Sequence, residues 1–170
     1  MKYSDLPSLS IRKIILLISL AISNIAFANE TEIKPFIKGS FNQIQKEHIN
    51  QAYIITFWSE SCAFCMKELS LFGKLLKSYP NISIVSVTTD PFLKKETVEQ
   101  ILTSKNLPNV QKWVFADHYV ERVYFDIDKS WRGELPLTYF FDKNNKMIKH
   151  LGVIKEQALT EWLVTQSPTS

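Results

Sequence analysis

The sequence predicts an α/β domain in which helices flank a central mixed β-sheet. Residues 53–58 form a run of apolar, aromatic and β-branched side chains, which is typical of a strand buried on both faces of a sheet. Strand-like and helix-like patterns alternate over residues 53–105, which indicates a βαβα order and a parallel strand pair. Two short apolar runs around a polar turn in residues 137–151 predict an antiparallel hairpin.

The N-terminus has the pattern of an export signal. Basic residues precede the apolar run 14–22, and residues 26–28 supply small side chains at a cleavage position. We therefore expect residues 1–28 to be a signal peptide that is cleaved after Ala28, and the protein to be periplasmic or exported. The alternative is an uncleaved inner-membrane anchor, although the run is shorter than the roughly 20 apolar residues that a membrane helix needs. We expect membrane association only if this segment is uncleaved.

Composition sets the remaining boundaries and excludes some function classes. Residues 29–38 are polar and predict a flexible lead-in, residues 39–166 predict one domain, and residues 167–170 predict a tail. The net charge is only +3, so nucleic acid is not an expected partner. The chain has two cysteines, whereas a small secreted disulfide scaffold would carry about four to eight.

The first predicted helix spans residues 40–48. Ser40 and Gln43 have the spacing of a capping box, and Ile44 would face inward. A second helix is predicted from Cys62 to Tyr79, because its apolar residues recur at helical spacing and Pro80 follows it.

The later elements follow from the same two periodicities. We expect strands at 82–87, 113–115, 137–141 and 147–151, a helix at 94–105, a helical turn or two at 119–124, and a closing helix at 155–164.

Cys62 and Cys65 stand two residues apart, directly after the first buried strand and at the start of a helix pattern. Unpaired N–H groups and the helix dipole favour a thiolate at that position, so Cys62 is expected to attack a disulfide and Cys65 to resolve the mixed disulfide. A structural disulfide, a metal site and inert core cysteines are the alternatives. So short a loop stabilises a fold by only about 2 kcal/mol.

A structural zinc site needs four ligands, and only histidines could complete a set that begins with these two cysteines. His48, His118 and His150 are not at zinc-finger spacing from the pair. We therefore expect no metal, and no cofactor beyond a redox-active Cys62–Cys65 disulfide.

Two separated motifs carry a family resemblance. Residues 57–68, FWSESCAFCMKE, resemble the active-site stretch of exported thioredoxin-like proteins of the TlpA/ResA type. Residues 131–142, WRGELPLTYFFD, resemble the segment around the cis-proline in the same group. The resemblance covers about residues 36–164 and implies a thioredoxin-like fold.

The resemblance also implies roles for particular residues. Leu135, Pro136 and Trp58 would bind substrate, with a cis peptide bond at Leu135–Pro136 and the Leu135 backbone offering hydrogen bonds to an incoming strand. Glu68 would lie near the sulfurs and take the proton of the resolving thiol. The alternative for Glu68 is a solvated charge on the helix surface.

Two positions depart from the family pattern. Position 61 is Ser where the family usually has Trp, which removes an aromatic cover from Cys62. Position 56 is Thr where related proteins keep an acid or Asn, so a proton shuttle from that site is missing and Glu68 becomes the favoured base.

The resemblance implies a thiol-disulfide oxidoreductase that reduces disulfides in exported client proteins, with cytochrome c or copper-site assembly as possible contexts. An inner-membrane thiol-disulfide electron donor would keep it reduced. A dithiol oxidase is less favoured because the interval from Cys65 to Pro136 is short for that group's helical insertion. A Cu(I) metallochaperone using His118 or His150 is a further alternative, and a redox-inactive binding module is the least favoured.

Overall fold

A computed structural model describes residues 32–91 and 93–166. The predicted signal peptide and C-terminal tail lie outside these residues. The strands are β1 Ile33–Phe36, β2 Tyr53–Trp58, β3 Ser83–Thr88, β4 Gln111–Phe115, β5 Leu137–Phe141 and β6 Met147–Leu151. The helices are α1 Ser40–Glu47, α2 Ala63–Leu75, α3 Lys95–Ser104, α4 Val120–Ile127 and α5 Glu156–Gln166. No helix in the described part is long and apolar enough to cross a membrane.

The six strands form one sheet in the order β1-β4-β3-β2-β5-β6. β2 pairs in parallel with β3, β3 with β4, and β4 with β1, whereas β5 pairs antiparallel with both β2 and β6. The predicted mixed sheet, parallel in its first part and antiparallel in its last, is therefore confirmed. β2 lies inside this sheet and is buried at all six positions, as its apolar run predicts.

Alternate residues of β2 feed two separate cores, because successive side chains of a strand point to opposite faces. One core holds Ile55 and Phe57 with side chains of α1 and α4. The other holds Ile54 and Trp58 with side chains of α2, α3 and α5. The sheet is thus covered on both faces, and the cysteine-bearing helix α2 lies on the second face.

The predicted lead-in over 29–38 is wrong for residues 33–36, which form β1 beside β4. Its four residues include Pro35, which a sheet tolerates on an edge strand. Phe36 is almost completely buried and its ring stacks on Phe115 with centroids 5.2 Å apart. One well-packed aromatic side chain thus anchors a strand too short to show an alternating pattern.

The predicted capping box of α1 is also wrong. The cap position is Gly39, which has a φ of 92° and makes no side-chain cap hydrogen bond. The Ser40 hydroxyl instead accepts a hydrogen bond from the backbone N–H of Ile37 at 3.0 Å. Ile44 faces the core as predicted, with no exposed surface.

Helix α2 ends at Leu75 and continues as a 3₁₀ turn over Leu76–Ser78, so it is shorter than the predicted span to Tyr79. Gly73 allows the helix to pass close to the end of α3. A Cβ at that position would collide with the carbonyl oxygen of Lys105. This close approach fixes where α2 lies on the sheet, and with it the position of the cysteines.

Candidate active site

The two cysteines lie at the start of α2, just after the loop that follows β2. β2 ends at Trp58, and Cys62 is the N-cap residue of α2. Cys62 and Cys65 are joined in a disulfide, and the backbone N–H of Cys65 donates a hydrogen bond to Cys62 Sγ at 3.1 Å. The first turn of the helix thus supplies an N–H group directly to the sulfur of Cys62.

The two sulfurs differ in their access to solvent. Cys62 is half-buried, whereas only 1% of the Cys65 surface is exposed. The first turn of α2 contains no acidic residue that would oppose the positive end of the helix dipole. A thiolate at Cys62 is therefore stabilised by the helix and reachable from outside, while Cys65 is shielded by protein.

Glu68 is buried, with 1% of its surface exposed. It follows Cys65 by three residues on α2, which places both side chains on one face of the helix. Thr138 donates a hydrogen bond to Glu68 Oε1 at 2.7 Å, and the backbone N–H of Ile154 donates to Oε2 at 3.1 Å. The alternative interpretation of Glu68 as a solvated surface charge is therefore wrong.

Different neighbours of Glu68 raise and lower the pKa of its carboxyl. Burial raises the pKa of the carboxyl, because the charged form loses its hydration. The hydrogen bonds from Thr138 and Ile154 and the positive charge of His150 lower the pKa, and these effects are smaller than that of burial. The group is thus a buried carboxyl that holds a proton to higher pH than an exposed glutamate would.

Thr138 connects Glu68 to the sheet. Thr138 and Thr56 lie directly opposite each other in the β5–β2 ladder, both are buried, and their hydroxyl oxygens are 3.3 Å apart. An ionised Glu68 can only accept, so the single Thr138 hydroxyl hydrogen points to the carboxylate and the Thr56 hydroxyl donates to Thr138. Thr56 thus contributes a second buried hydroxyl to this network.

Leu137, the first residue of β5, lies opposite Phe57 near the end of β2. Leu135 and Pro136 therefore lie at the end of the sheet where α2 begins. The Leu135–Pro136 peptide bond is cis. The Pro136 carbonyl accepts a hydrogen bond from Gly152 N–H at 2.9 Å. Among the described residues, the Leu135 backbone has no such partner.

The assignment of Trp58 as a substrate-binding residue is wrong for its side chain. Trp58 has no exposed surface, and its indole N–H donates a hydrogen bond to Ser86 Oγ at 2.7 Å inside the core. A side chain enclosed by protein cannot contact a client. Trp58 instead fixes the end of β2, where its carbonyl accepts a hydrogen bond from Thr89 N–H at 2.8 Å.

The three histidines lie on different parts of the fold. His48 follows α1 with Nδ1 3.0 Å from the Ile44 carbonyl, His118 is exposed between β4 and α4, and His150 is on β6. Within residues 32–91 and 93–166, no group of three or more His, Cys, Asp and Glu side chains is placed to hold a metal ion.

The surface beside Cys62 carries an exposed aromatic ring. Phe64, between the two cysteines, has 58% of its surface exposed. The Lys67 ammonium lies 5.5 Å from the centroid of that ring. An apolar ring next to a reactive sulfur is available for contact with another polypeptide.

Comparison with known proteins identifies the fold. No family model matches the chain, and no curated protein is significantly similar to it in sequence. Among solved structures, a secreted Mycobacterium tuberculosis disulfide oxidoreductase homologous to E. coli DsbE is similar with a TM-score of 0.57 and 13% identity, over 71% of this chain and 85% of that one. The M. tuberculosis protein dsbF gives a TM-score of 0.56 and 16% identity, over 72% and 85%.

A thiol:disulfide interchange protein of the thioredoxin family from Chlorobium tepidum has a TM-score of 0.57 and 14% identity, over 72% of this chain and 83% of that one. At such identities the likeness concerns the fold. The chain therefore has a thioredoxin-like fold, as the two sequence motifs imply.

Three features of the site were not found from the sequence. Thr138 on β5, His150 on β6 and the Ile154 N–H between β6 and α5 all act on Glu68. A usable signal was present for one of them. Thr56 and Thr138 are polar residues inside two otherwise apolar strands, and a buried hydroxyl must find a partner.

Proposed function

We propose that this protein is a thiol-disulfide oxidoreductase that reduces disulfides of exported client proteins through Cys62 and Cys65. The observation that carries the proposal is the arrangement on α2, where a half-buried sulfur at the helix N-terminus is bonded to a buried sulfur with a buried carboxyl on the same face. A disulfide that served only as a staple would need neither the accessible sulfur nor the carboxyl.

The reaction starts from the dithiol form. The Cys62 thiolate attacks one sulfur of a client disulfide, a mixed disulfide forms, and the first client sulfur leaves as a thiolate that takes a proton from water. Glu68 then accepts the proton of the Cys65 thiol. The Cys65 thiolate attacks Cys62 Sγ, the protein disulfide forms, and the second client thiolate leaves. Two electrons have passed to the client, so a thiol donor must restore the dithiol.

Client binding is assigned to the surface around Cys62. The Leu135 backbone, which has no hydrogen-bond partner among the described residues, would pair with an extended client segment. Pro136 would set the direction of the Leu135 backbone at this surface, and the exposed Phe64 ring would contact apolar client side chains. Main-chain pairing explains how clients of different sequence could be accepted.

Location and partners are proposed from the sequence and from the neighbours. The export signal pattern and the secreted disulfide oxidoreductase among the similar structures support an exported or periplasmic protein of the TlpA/ResA type. In that compartment the electrons would come from an inner-membrane thiol-disulfide donor. Proteins of cytochrome c or copper-site assembly are the client classes we propose.

The proposed direction is reduction. A strong dithiol oxidant has a stabilised reduced form, which requires a stable thiolate. The buried carboxyl on the cysteine face of α2 opposes a second negative charge nearby. This favours the disulfide form of the protein relative to such oxidants, and so favours giving electrons to clients.

The proposal is tested by trapping the mixed disulfide. A Cys65→Ser variant is reduced and mixed with native, disulfide-bonded insulin as the probe. The products are then separated under non-reducing conditions. We expect a covalent adduct through Cys62 that accumulates because the resolving thiol is missing. A Cys62→Ser variant is the matched control and should form far less adduct. Equal adduct formation by both variants, or by neither, would contradict the proposal.

A further inference from the structure

A row of three residues crosses the sheet beneath Glu68. Thr56 on β2 lies opposite Thr138 on β5, and Thr138 lies opposite His150 on β6. Directly opposed residues of antiparallel strands share a face and have Cβ atoms about 4.5–5.5 Å apart. Thr138 is hydrogen bonded to Glu68, so His150 occupies the next place in the row on the same face.

The chain after His150 returns to the same carboxyl. Four residues further on, Ile154 donates its backbone N–H to Glu68 Oε2. The segment from β6 to α5 therefore brackets the carboxyl with an imidazole at one end and an N–H group at the other. Glu68 has 1% of its surface exposed, whereas His150 is only partly buried on an edge strand.

We propose that His150 is a positioning residue that acts through Glu68: its protonated imidazole stabilises the ionised carboxylate and so extends the resolving step to lower pH. The inference rests on the proposed redox function and adds a regulatory group to that site.

The other charged groups around Glu68 do not replace His150. On α2 the neighbouring side chain of the same face is Cys65, which carries no charge in the disulfide, and β5 contributes the neutral Thr138. Lys149 on β6 points to the opposite face, where it pairs with Asp128 at 2.7 Å. On the α5 side, Lys155 is exposed, and Glu156 is exposed and pairs with Lys74 of α2 at 2.7 Å.

The direction of the effect follows from the charges. A carboxylate can accept the proton of Cys65, and a protonated carboxyl cannot. Burial favours the protonated carboxyl, and a positive charge on the imidazole opposes this. Loss of that charge should therefore raise the pH at which Glu68 ionises, and the acid limb of the resolving step should move with it.

The test is a titration of the Glu68 carboxyl by ¹³C NMR in the oxidised protein, with its signal assigned by its loss in Glu68→Gln. We expect His150→Gln to move the midpoint upward. The exposed His118 gives the matched control, and His118→Gln should leave the midpoint unchanged. His150→Lys keeps a positive charge on the edge strand and should keep the midpoint at or below the wild-type value.

Two outcomes overturn the inference: an unchanged midpoint in folded His150→Gln, or a higher midpoint in His150→Lys. If His150→Gln does not fold, His150→Asn takes its place as the variant that removes the charge. The titration needs no turnover, so it is independent of the proposed function. A shifted midpoint in a protein that fails to trap insulin would refute the redox proposal and leave the His150–Glu68 coupling standing.

Discussion

The Thr138 hydroxyl lies 2.7 Å from Glu68 Oε1 and donates a hydrogen bond to it. This contact joins the cysteine-bearing helix α2 to the strand that begins after Pro136. The carboxyl that we assign as the base of the resolving step is therefore held by the same strand that leads into the proposed client-binding segment. Hydrogen bonds to charged groups contribute about 1.5–3 kcal/mol to stability.

Replacing Thr138 by Val should remove this donor while keeping the shape of the side chain. We expect a loss of roughly 2 kcal/mol in the free energy of unfolding, a further rise in the pKa of Glu68, and slower resolution of the mixed disulfide. Urea unfolding and single-turnover exchange measure these effects. Thr56→Val is the matched control, because Thr56 is equally buried but its hydroxyl is hydrogen bonded to Thr138. Equal effects on exchange would contradict the special role of Thr138.

The charge of Glu68 should make stability depend on pH. Its pKa is raised by burial above the ordinary value of 4.5, so the folded protein holds a proton that the unfolded chain has released. Stability should therefore fall as the pH rises from about 4.5 towards the raised pKa, by about 1.4 kcal/mol for each pH unit between those two values.

Glu68→Gln should abolish that fall, because an amide cannot ionise. The variant should gain stability relative to wild type as the pH rises from about 4 to about 7, as measured by thermal or urea unfolding at each pH. The exposed Glu60 provides the control, and Glu60→Gln should follow the wild-type curve. A Glu68→Gln curve parallel to wild type would show that the carboxyl is ionised without cost.

Alkylation should distinguish the two thiols. After reduction, brief treatment with iodoacetamide should label Cys62 much faster than Cys65, because Cys62 is half-buried at the helix N-terminus and Cys65 is buried. Peptide mapping by mass spectrometry gives the ratio. Faster labelling of Cys65 would reverse the assigned roles.

The packing of α2 against the end of α3 should be intolerant of any side chain at Gly73. Gly73→Ala places a Cβ against the Lys105 carbonyl and should lower the free energy of unfolding by about 3 kcal/mol. Gly39→Ala is the control, since its Cβ would meet nothing within 4 Å and only its φ of 92° opposes substitution. That variant should lose about 1–2 kcal/mol, and a larger loss than at Gly73 would contradict the packing.

Local sequence pattern predicts much of this fold. The fully apolar run of β2 indicates a strand inside the sheet, and the β5–β6 hairpin follows from two short runs around a turn. β1 could not be predicted, because four residues containing Pro35 carry no periodic signal and are held by pairing with distant β4. The predicted Ser40 capping box is wrong because the Ser40 hydroxyl accepts a hydrogen bond from the Ile37 N–H, which lies outside the helix.

Some features of the site are predictable from local sequence, and others depend on the tertiary structure. The cysteines and their helix are local in sequence, so spacing and pattern place them. The state of Glu68 depends on Thr138 and Ile154, which are separated from it by 70 and 86 positions. Sequence spacing brings Glu68 to the face of Cys65, and only the tertiary structure decides that this face is buried.

Equilibration in thiol-disulfide redox buffers, with the fraction of reduced Cys62–Cys65 read by alkylation, tests most directly that this pair is a reducing redox centre. We expect a single reversible two-electron transition with a midpoint nearer to thioredoxin's, about −270 mV, than to the roughly −120 mV of a strong oxidant. A midpoint near the oxidant value would reverse the direction of transfer. A disulfide that stays oxidised well below about −300 mV would mean that the pair is a structural staple.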